Sequence, residues 1–323
     1  MSETRADDSR HPIVSEEGET VVPLGDSGNR GPKPRGEGRL RRARLTAEDR
    51  VLGALRWAVI AVAVAVTAGP LLYGVSLSLR PFQSVVAEPL DLIPAPEELT
   101  FDSYPTAMAE YGLGGDMWNS LQVALATAAL AILFSVLGAY AAVRLRFLGR
   151  GAVNVVFLGV YLLPGIVLAV PLFVLLSRIG LTGSLVGLVF VYVAQTVPVA
   201  LYMLRTYLIA VPSSVEEAAM IDGCGRLALI RRVVLPLALP GVAATALYVF
   251  MIAWNEYLFA LLFLVADRDR WTVSLGIAQL TEFSVPTTVL MAGSIAITVP
   301  VVAGFFLAQR LLVTGLTSGA EKG

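Results

Sequence analysis

Leu121-Gln122-Val123-Ala124-Leu125-Ala126-Thr127-Ala128-Ala129-Leu130-Ala131-Ile132-Leu133-Phe134-Ser135-Val136-Leu137 puts apolar residues on every face of a helix. A membrane barrel strand would alternate apolar and polar positions over about ten residues, and neither this stretch nor Val242 to Phe250 does so. Only helices and closed barrels satisfy their backbone groups inside hydrocarbon. The stretch therefore reads as part of a membrane-spanning helix.

Working outward, the quoted residues lie within an apolar run from Trp118 to Val143, and five runs of the same kind accompany it: Leu55 to Leu79, Val153 to Leu176, Leu185 to Leu204, Gly241 to Val265 and Val289 to Leu312. Each reaches the roughly 20 residues a helix needs to cross a bilayer. The chain is 56% hydrophobic and 15% charged, with a mean hydropathy of +0.73, too apolar for an ordinary soluble domain. Pro164 and Pro171 in the third run, Pro198 in the fourth and Pro300 in the sixth are expected to kink their helices. Such breaks are tolerated where neighbouring helices or water take up the released carbonyls, as in a packed, cavity-lined bundle. Gly138, Ala139, Ala141 and Ala142 permit close helix contact. Ordinary bundle packing and a transport role both account for these residues.

Charge sets the expected topology. Arg35, Arg39, Arg41, Arg42, Arg44, Arg50 and Arg56 precede or open the first run, and Arg144, Arg146 and Arg150 follow the second, so these sides face the cytoplasm. The acidic stretch from Arg80 to Met117 then lies outside. Alternation puts Ser177 to Ser184 and Ala266 to Thr288 outside and Arg205 to Pro240 inside, with both termini cytoplasmic. Residues up to about Thr46 are polar and rich in Gly and Pro, which predicts disorder. No signal peptide is read there.

The net charge of −1 argues for no nucleic-acid partner. Cys224 and His11 are each alone, which excludes a His/Cys metal site and a histidine-containing triad within the chain. No P-loop occurs, and the only lysines are Lys33 and Lys322, so any use of ATP falls to another subunit. No cofactor is expected.

The polar loop at 205–240 carries the strongest local signal. Ser213 with Glu216, or Ser214 with Glu217, has capping-box spacing just after Pro212. Ala218 and Ala219 keep one face shallow, Met220 and Ile221 offer apolar contact, and Gly223 permits the positive φ that ends a helix. A second short helix is expected over Leu227 to Val234, stopped by Pro236 and Pro240 before the fifth run. The product is a helix-turn-helix knob that something outside the membrane grips.

Glu217-Ala218-Ala219, three residues, Gly223, nine residues and Val233-x-Leu235-Pro236 resemble the EAA loop of permease subunits in binding-protein-dependent ATP-binding-cassette importers. Valine stands where the family has isoleucine. Asn119-Ser120, Tyr140-Ala141-Ala142, Pro171-Leu172, Ile221-Asp222-Gly223 and Trp254-Asn255-Glu256-Tyr257 are similar to the carbohydrate branch, the maltose-type second permease. The ending from Gly315 to Gly323 resembles the short tails of that branch, with Glu321 departing from the usual apolar residue. The resemblance implies an all-α membrane protein with six transmembrane helices of the type I importer permease fold and a cytoplasmic coupling helix. It implies that Glu217, Ala218, Ala219, Asp222, Gly223, Leu235 and Pro236 couple the chain to an ATPase.

Glu256 falls in the fifth run, where an ionised carboxylate costs about 2.5–3.5 kcal/mol, so it faces protein or water. With Asn255 it is a candidate for lining a translocation path. A structural or gating bond to a neighbouring span, such as to Gln195, is the favoured reading. The chain thus divides into a cytoplasmic tail (1–50), a permease domain (51–312) and a C-terminal tail (313–323). Its expected function is the permease of an ATP-driven carbohydrate importer in the cell membrane, itself not an enzyme. Two ATPase subunits, a second permease forming a heterodimer and an extracytoplasmic binding protein are the implied partners. An ion-coupled secondary transporter using Glu256, and an importer of a non-sugar solute, are the alternatives; a membrane-embedded enzyme lacks clustered nucleophile, base or metal ligands.

Overall fold

The computed structural model of the chain describes residues 47–89, 91, 94–282 and 285–320. The expectations for residues 1–46 and for Glu321, Lys322 and Gly323 lie outside the described residues. Every regular element among the described residues is helical, as the apolar pattern requires.

The chain divides into two units, Met1–Ile60 and Ala61–Gly323. In the first, helix α1 (Ala47–Ser78) is already under way before residue 50, and its side chains from Val51 to Val59 are mostly exposed. The division falls inside the first apolar run.

The second unit is built on two long helices, α2 (Leu113–Arg144) and α5 (Leu185–Ala210). Their close approach follows from the small residues on α2. Ala124, Ala128, Ala131, Ala139 and Ala142 are buried, and a Cβ on Gly138 would stand 2.8 Å from Leu201 Cδ1. Two polar features fit this contact. Thr196 donates to the carbonyl of Tyr192 within α5 (2.7 Å), and Ser135 on α2 donates across to Val197 O (3.3 Å), beside Pro198. Pro171, Pro198 and Pro300 all lie inside continuous helices, whereas Pro164 divides its run.

Between the two long helices the third run is split into α3 (Arg150–Tyr161) and α4 (Gly165–Arg178), with Pro164 at the N-cap of α4. After α5 come the loop helices α6 (Ser213–Ile221) and α7 (Arg226–Leu237). The fifth run then splits into α8 (Leu239–Asn255) and α9 (Leu258–Leu264). Helices α10 (Val273–Glu282) and α11 (Thr287–Ala320) close the unit. α8 packs against α2, α5 and α11.

Among the described residues four helices are individually long and apolar enough to cross a membrane: Val51–Ser78, Leu113–Arg144, Leu185–Ala210 and Thr287–Leu311. The third run, expected to be kinked by its prolines, and the fifth, expected as one helix, are each broken. Proline accounts for the first break because it has no amide to donate and its ring crowds the preceding turn. The second is centred on Glu256. The sixth helix runs past the expected end at Leu312, to Ala320.

At the end of the bundle remote from the 205–240 loop, polar side chains staple the segment between α9 and α10 to the start of α2. Asn119 donates to the carbonyls of Asp269 (2.9 Å) and Trp271 (3.0 Å), and Ser120 Oγ accepts from Val273 N–H (2.8 Å). Arg268 pairs with the buried Asp116, donates to Tyr111 O (2.7 Å) and lies over the Trp271 ring at 4.4 Å. Arg270 donates to Gly183 O. Before α2, the acidic segment is itself folded. Buried Arg80 donates to Asp91 O (2.8 Å) and to Ser84 Oγ (3.0 Å), so one guanidinium organises the residues that follow the first span.

Candidate functional site

Residues 212–240 form the expected knob, built differently at its start. Pro212 is the N-cap of α6 and makes no side-chain cap bond, so neither capping-box pairing forms. With Pro212 at the cap, Ser213 becomes the first helical residue and Glu216 lies on the inward face. There it is 4% exposed, and Arg144, at the end of α2, claims it. Arg144 Nε donates to Glu216 Oε1 at 2.7 Å, while its Nη2 donates to the carbonyls of Leu208 (3.2 Å) and Val211 (2.6 Å) at the end of α5. One guanidinium thus joins three elements. A neighbour, Arg150, donates to the carbonyls of Ala142 (2.6 Å) and Val143 (3.0 Å) and so satisfies the last turn of α2.

The far end of α6 closes as expected. Gly223 has φ +85°, and its N–H donates to Met220 O (3.1 Å) while the N–H of Cys224 donates to Ala219 O (3.0 Å). This pair of bonds is a Schellman closure, which requires the left-handed residue that glycine provides without strain. Glu217, Ala218, Asp222 and Gly223 are exposed, and Ala219 is half-buried against an apolar cluster that includes Tyr140, Leu204, Leu208 and Leu229. The tip presents Ile221 at 87% and Leu227 at 74% exposure, with Met220 beside them.

The second helix is longer than expected and irregular. Its middle turn, Ile230–Val234, is wound as a π-helix, and Leu235 and Pro236 continue it to Leu237. Pro236 has no amide for the carbonyl one turn back, and widening the preceding turn relieves the clash of its ring. The axis then turns by 82° into α8. At that corner Gly241 lies against the Tyr207 ring, where any side chain would collide. Leu235 is half-buried and Pro236 exposed.

The two candidate path residues are placed at the break in the fifth run. Asn255, exposed, ends α8 and donates to Met251 O in its own helix (2.8 Å). The Glu256 carboxylate accepts from the N–H groups of Phe259 (3.0 and 3.1 Å) and Ala260 (3.3 Å), capping α9, and from the Tyr192 hydroxyl (2.6 Å) on α5. Its partner on the fourth span is therefore Tyr192, one turn before the expected Gln195. The Glu256 carbonyl also accepts from Ser274, and Trp254 Nε1 donates to Ile297 O (3.2 Å). The Glu256 carboxylate thus caps α9, and the knob and the break share no residue.

Arg144 and Glu216 are the residues that sequence reasoning missed. Their signal was present: an arginine that closes an apolar run needs an acceptor near its depth, and Glu216 precedes the motif glutamate on the next helical face.

Residues 115–317 match the family described as binding-protein-dependent transport system inner membrane component. The chain is 41% identical over 208 residues to the inner membrane ABC transporter permease protein YcjP of Escherichia coli K12, covering 64% of this chain and 73% of the relative. It is 35% identical over 271 residues to the trehalose transport system permease protein SugB of Mycobacterium tuberculosis, covering 83% and 97%. Among solved structures it resembles a chain of a bacterial ABC transporter involved in the import of the acidic polysaccharide alginate, with a TM-score of 0.73 at 20% identity, covering 82% of this chain and 98% of that one. The fold is that of a type I importer permease.

Proposed function

Because this chain belongs to the family of binding-protein-dependent transport system inner membrane components, we propose that it is one of two permeases in an ATP-driven carbohydrate importer, with the 205–240 knob as the seat of an ATPase. The observation that carries this reading is the knob itself. A short helix closed by a Schellman turn at Gly223 presents Ile221 and Leu227 to solvent, while the pair of half-buried Arg144 and buried Glu216 ties its base to two long helices. An apolar tip on a rigid mount suits a cleft that closes and pushes.

In this reading the chain crosses the membrane six times, with the third and fifth crossings broken, and both termini and the knob lie in the cytoplasm. A receptor outside delivers the solute, a second permease completes the path, and two ATPase subunits engage one knob each. Glu217, Ala218, Ala219, Asp222, Gly223, Leu235 and Pro236 form or shape the contact. ATP binding favours the closed ATPase pair, and the knob passes that preference to the spans, which open outward. Relatives named as trehalose and trehalose/maltose permeases support a sugar as solute. The ion-coupled alternative loses its main candidate, since the Glu256 carboxylate already accepts from Tyr192 and two amides.

Gly223→Val tests the seat. A β-branched residue is strained at φ +85°, so α6 loses its closure while the spans keep their packing. Uptake is expected to fall at least about tenfold at unchanged membrane abundance, which corresponds to roughly 1.4 kcal/mol of lost coupling. Normal uptake by this variant at normal abundance overturns the coupling role. Calorimetry on the cognate binding protein identifies the solute class independently.

A further inference from the structure

We propose that the cavity between the two broken spans is a subsite for a single ring of a neutral carbohydrate; this rests on the carbohydrate-importer reading. The cavity measures about 240 Å³ and is bordered by α3, α4, α5, α8 and α9. The first break borders it, and the second lies within one turn of it. Leu163 and Gly165 flank Pro164 in the third run, and Phe259 stands one turn beyond Glu256 in the fifth. Interrupted backbone at membrane depth persists only where protein covers it or where it lines a wet cavity. Discontinuous spans that meet at one space are where transporters of other folds place their solute.

The lining fits a sugar ring and disfavours a charged solute. Among the described residues no Asp, Glu, Lys, Arg or His lines the cavity. Its polar groups are the Gln195 amide, the Thr196 hydroxyl and Tyr248, set in apolar walls. Thr196 donates to its own helix at 2.7 Å. Among the described residues no hydrogen bond engages the Gln195 amide, which leaves a donor and an acceptor for adjacent hydroxyls. Phe259, which is 2% exposed and stacked on Phe263, brings only its rim to the cavity and forms part of its apolar wall. Gly165 lets the start of α4 approach both groups: a Cβ there would stand 3.5 Å from Gln195 Nε2 and 3.6 Å from Phe259 Cε2. The volume lies below the roughly 300–1,000 Å³ of sites that enclose a drug-sized ligand. One ring of a longer sugar fits, and the remainder lies outside the cavity. Glu256, nearby, is taken by Tyr192 and the amides of α9, so it holds the break open without facing the solute as a free charge.

The test uses the complete transporter in membrane vesicles, with the sole cysteine, Cys224, replaced by serine. Ala194→Cys, on the cavity wall, and Val64→Cys, exposed in the middle of the first span, are treated with a charged methanethiosulfonate reagent. Ala194→Cys is expected to react at least about tenfold faster, and receptor with glucose, maltose or trehalose to slow it, in accord with whichever sugar the receptor binds. Gln195→Leu is expected to raise KM for that sugar about fivefold, the loss of one hydrogen bond, with receptor-stimulated ATPase activity retained. Reaction no faster than at Val64→Cys overturns the proposal, as does a rate indifferent to every sugar the receptor binds. Equal slowing by glutamate or spermidine also overturns it. A receptor that binds no carbohydrate in calorimetry instead defeats the importer reading, which the reaction rates alone do not.

Discussion

Arg144 and Glu216 lie 72 residues apart and meet at 2.7 Å in a largely buried setting. The expectation that Arg144 marks the cytoplasmic side by its charge left this contact unseen, because a topology signal needs no partner and a partner so distant has no local pattern. Removing one member of such a pair strands the other, at a cost of about 3–5 kcal/mol. Arg144→Ala and Glu216→Gln are therefore both expected to lower the thermal midpoint of the purified transporter and its receptor-stimulated ATPase activity. Arg144→Lys is expected to recover little, since a single ammonium cannot reproduce the planar fork that reaches Glu216, Leu208 O and Val211 O together. Full activity of Arg144→Lys would show that the carbonyl bonds carry no function. Gly223 was legible from sequence for the opposite reason: a helix-ending glycine is a local requirement, and its φ of +85° follows from neighbours within five residues.

At the scale of elements, the apolar runs foretold the helices, but not where two of them break. Pro164 gave warning of the first break; Pro171, Pro198 and Pro300, equally visible, sit inside unbroken helices. What separates them is tertiary, namely whether neighbours take up the released backbone groups. The second break has no proline. Glu256 supplies there what a cap residue supplies at a soluble helix, with its oxygens on the first amides of α9. Glu256→Ala is expected to destabilise the protein by about 1–2 kcal/mol, and Glu256→Gln by less, because its amide oxygen still accepts from Phe259 N–H. Thermal unfolding in detergent reads the difference, and equal losses for the two variants would refute capping. Uptake by wild type is expected to be indifferent to ionophores. The π-turn at Ile230–Val234 departs from the regular helix expected there, because Pro236 continues the helix instead of stopping it and the turn before it widens around its ring.

Across the whole molecule, long apolar helices such as Val51–Ser78 and Thr287–Leu311 leave most of their surface unburied within the chain, which fits lipid and a second permease as neighbours. The bundle is tied at both ends by polar bonds between distant segments. Asn119 and Ser120, matched to a family pattern at the level of sequence, acquire a physical reason: they fasten the segment carrying Arg268 and Arg270 to the start of α2. Loosening that fastening with Asn119→Ala is expected to raise the rate of tryptic cleavage at Arg268 or Arg270 about fivefold, the loss of roughly 1 kcal/mol of local hydrogen bonding. Sided proteolysis of sealed vesicles would also report which face the segment occupies. The knob at the other end carries one more consequence. Cys224 is the sole cysteine, its amide is pinned to Ala219 O at 3.0 Å, and its side chain is half-buried. A nitroxide attached to it therefore moves with α6 as a body, so the native sequence already holds one of the two label positions needed to follow the distance from the knob to the proposed ATPase during turnover.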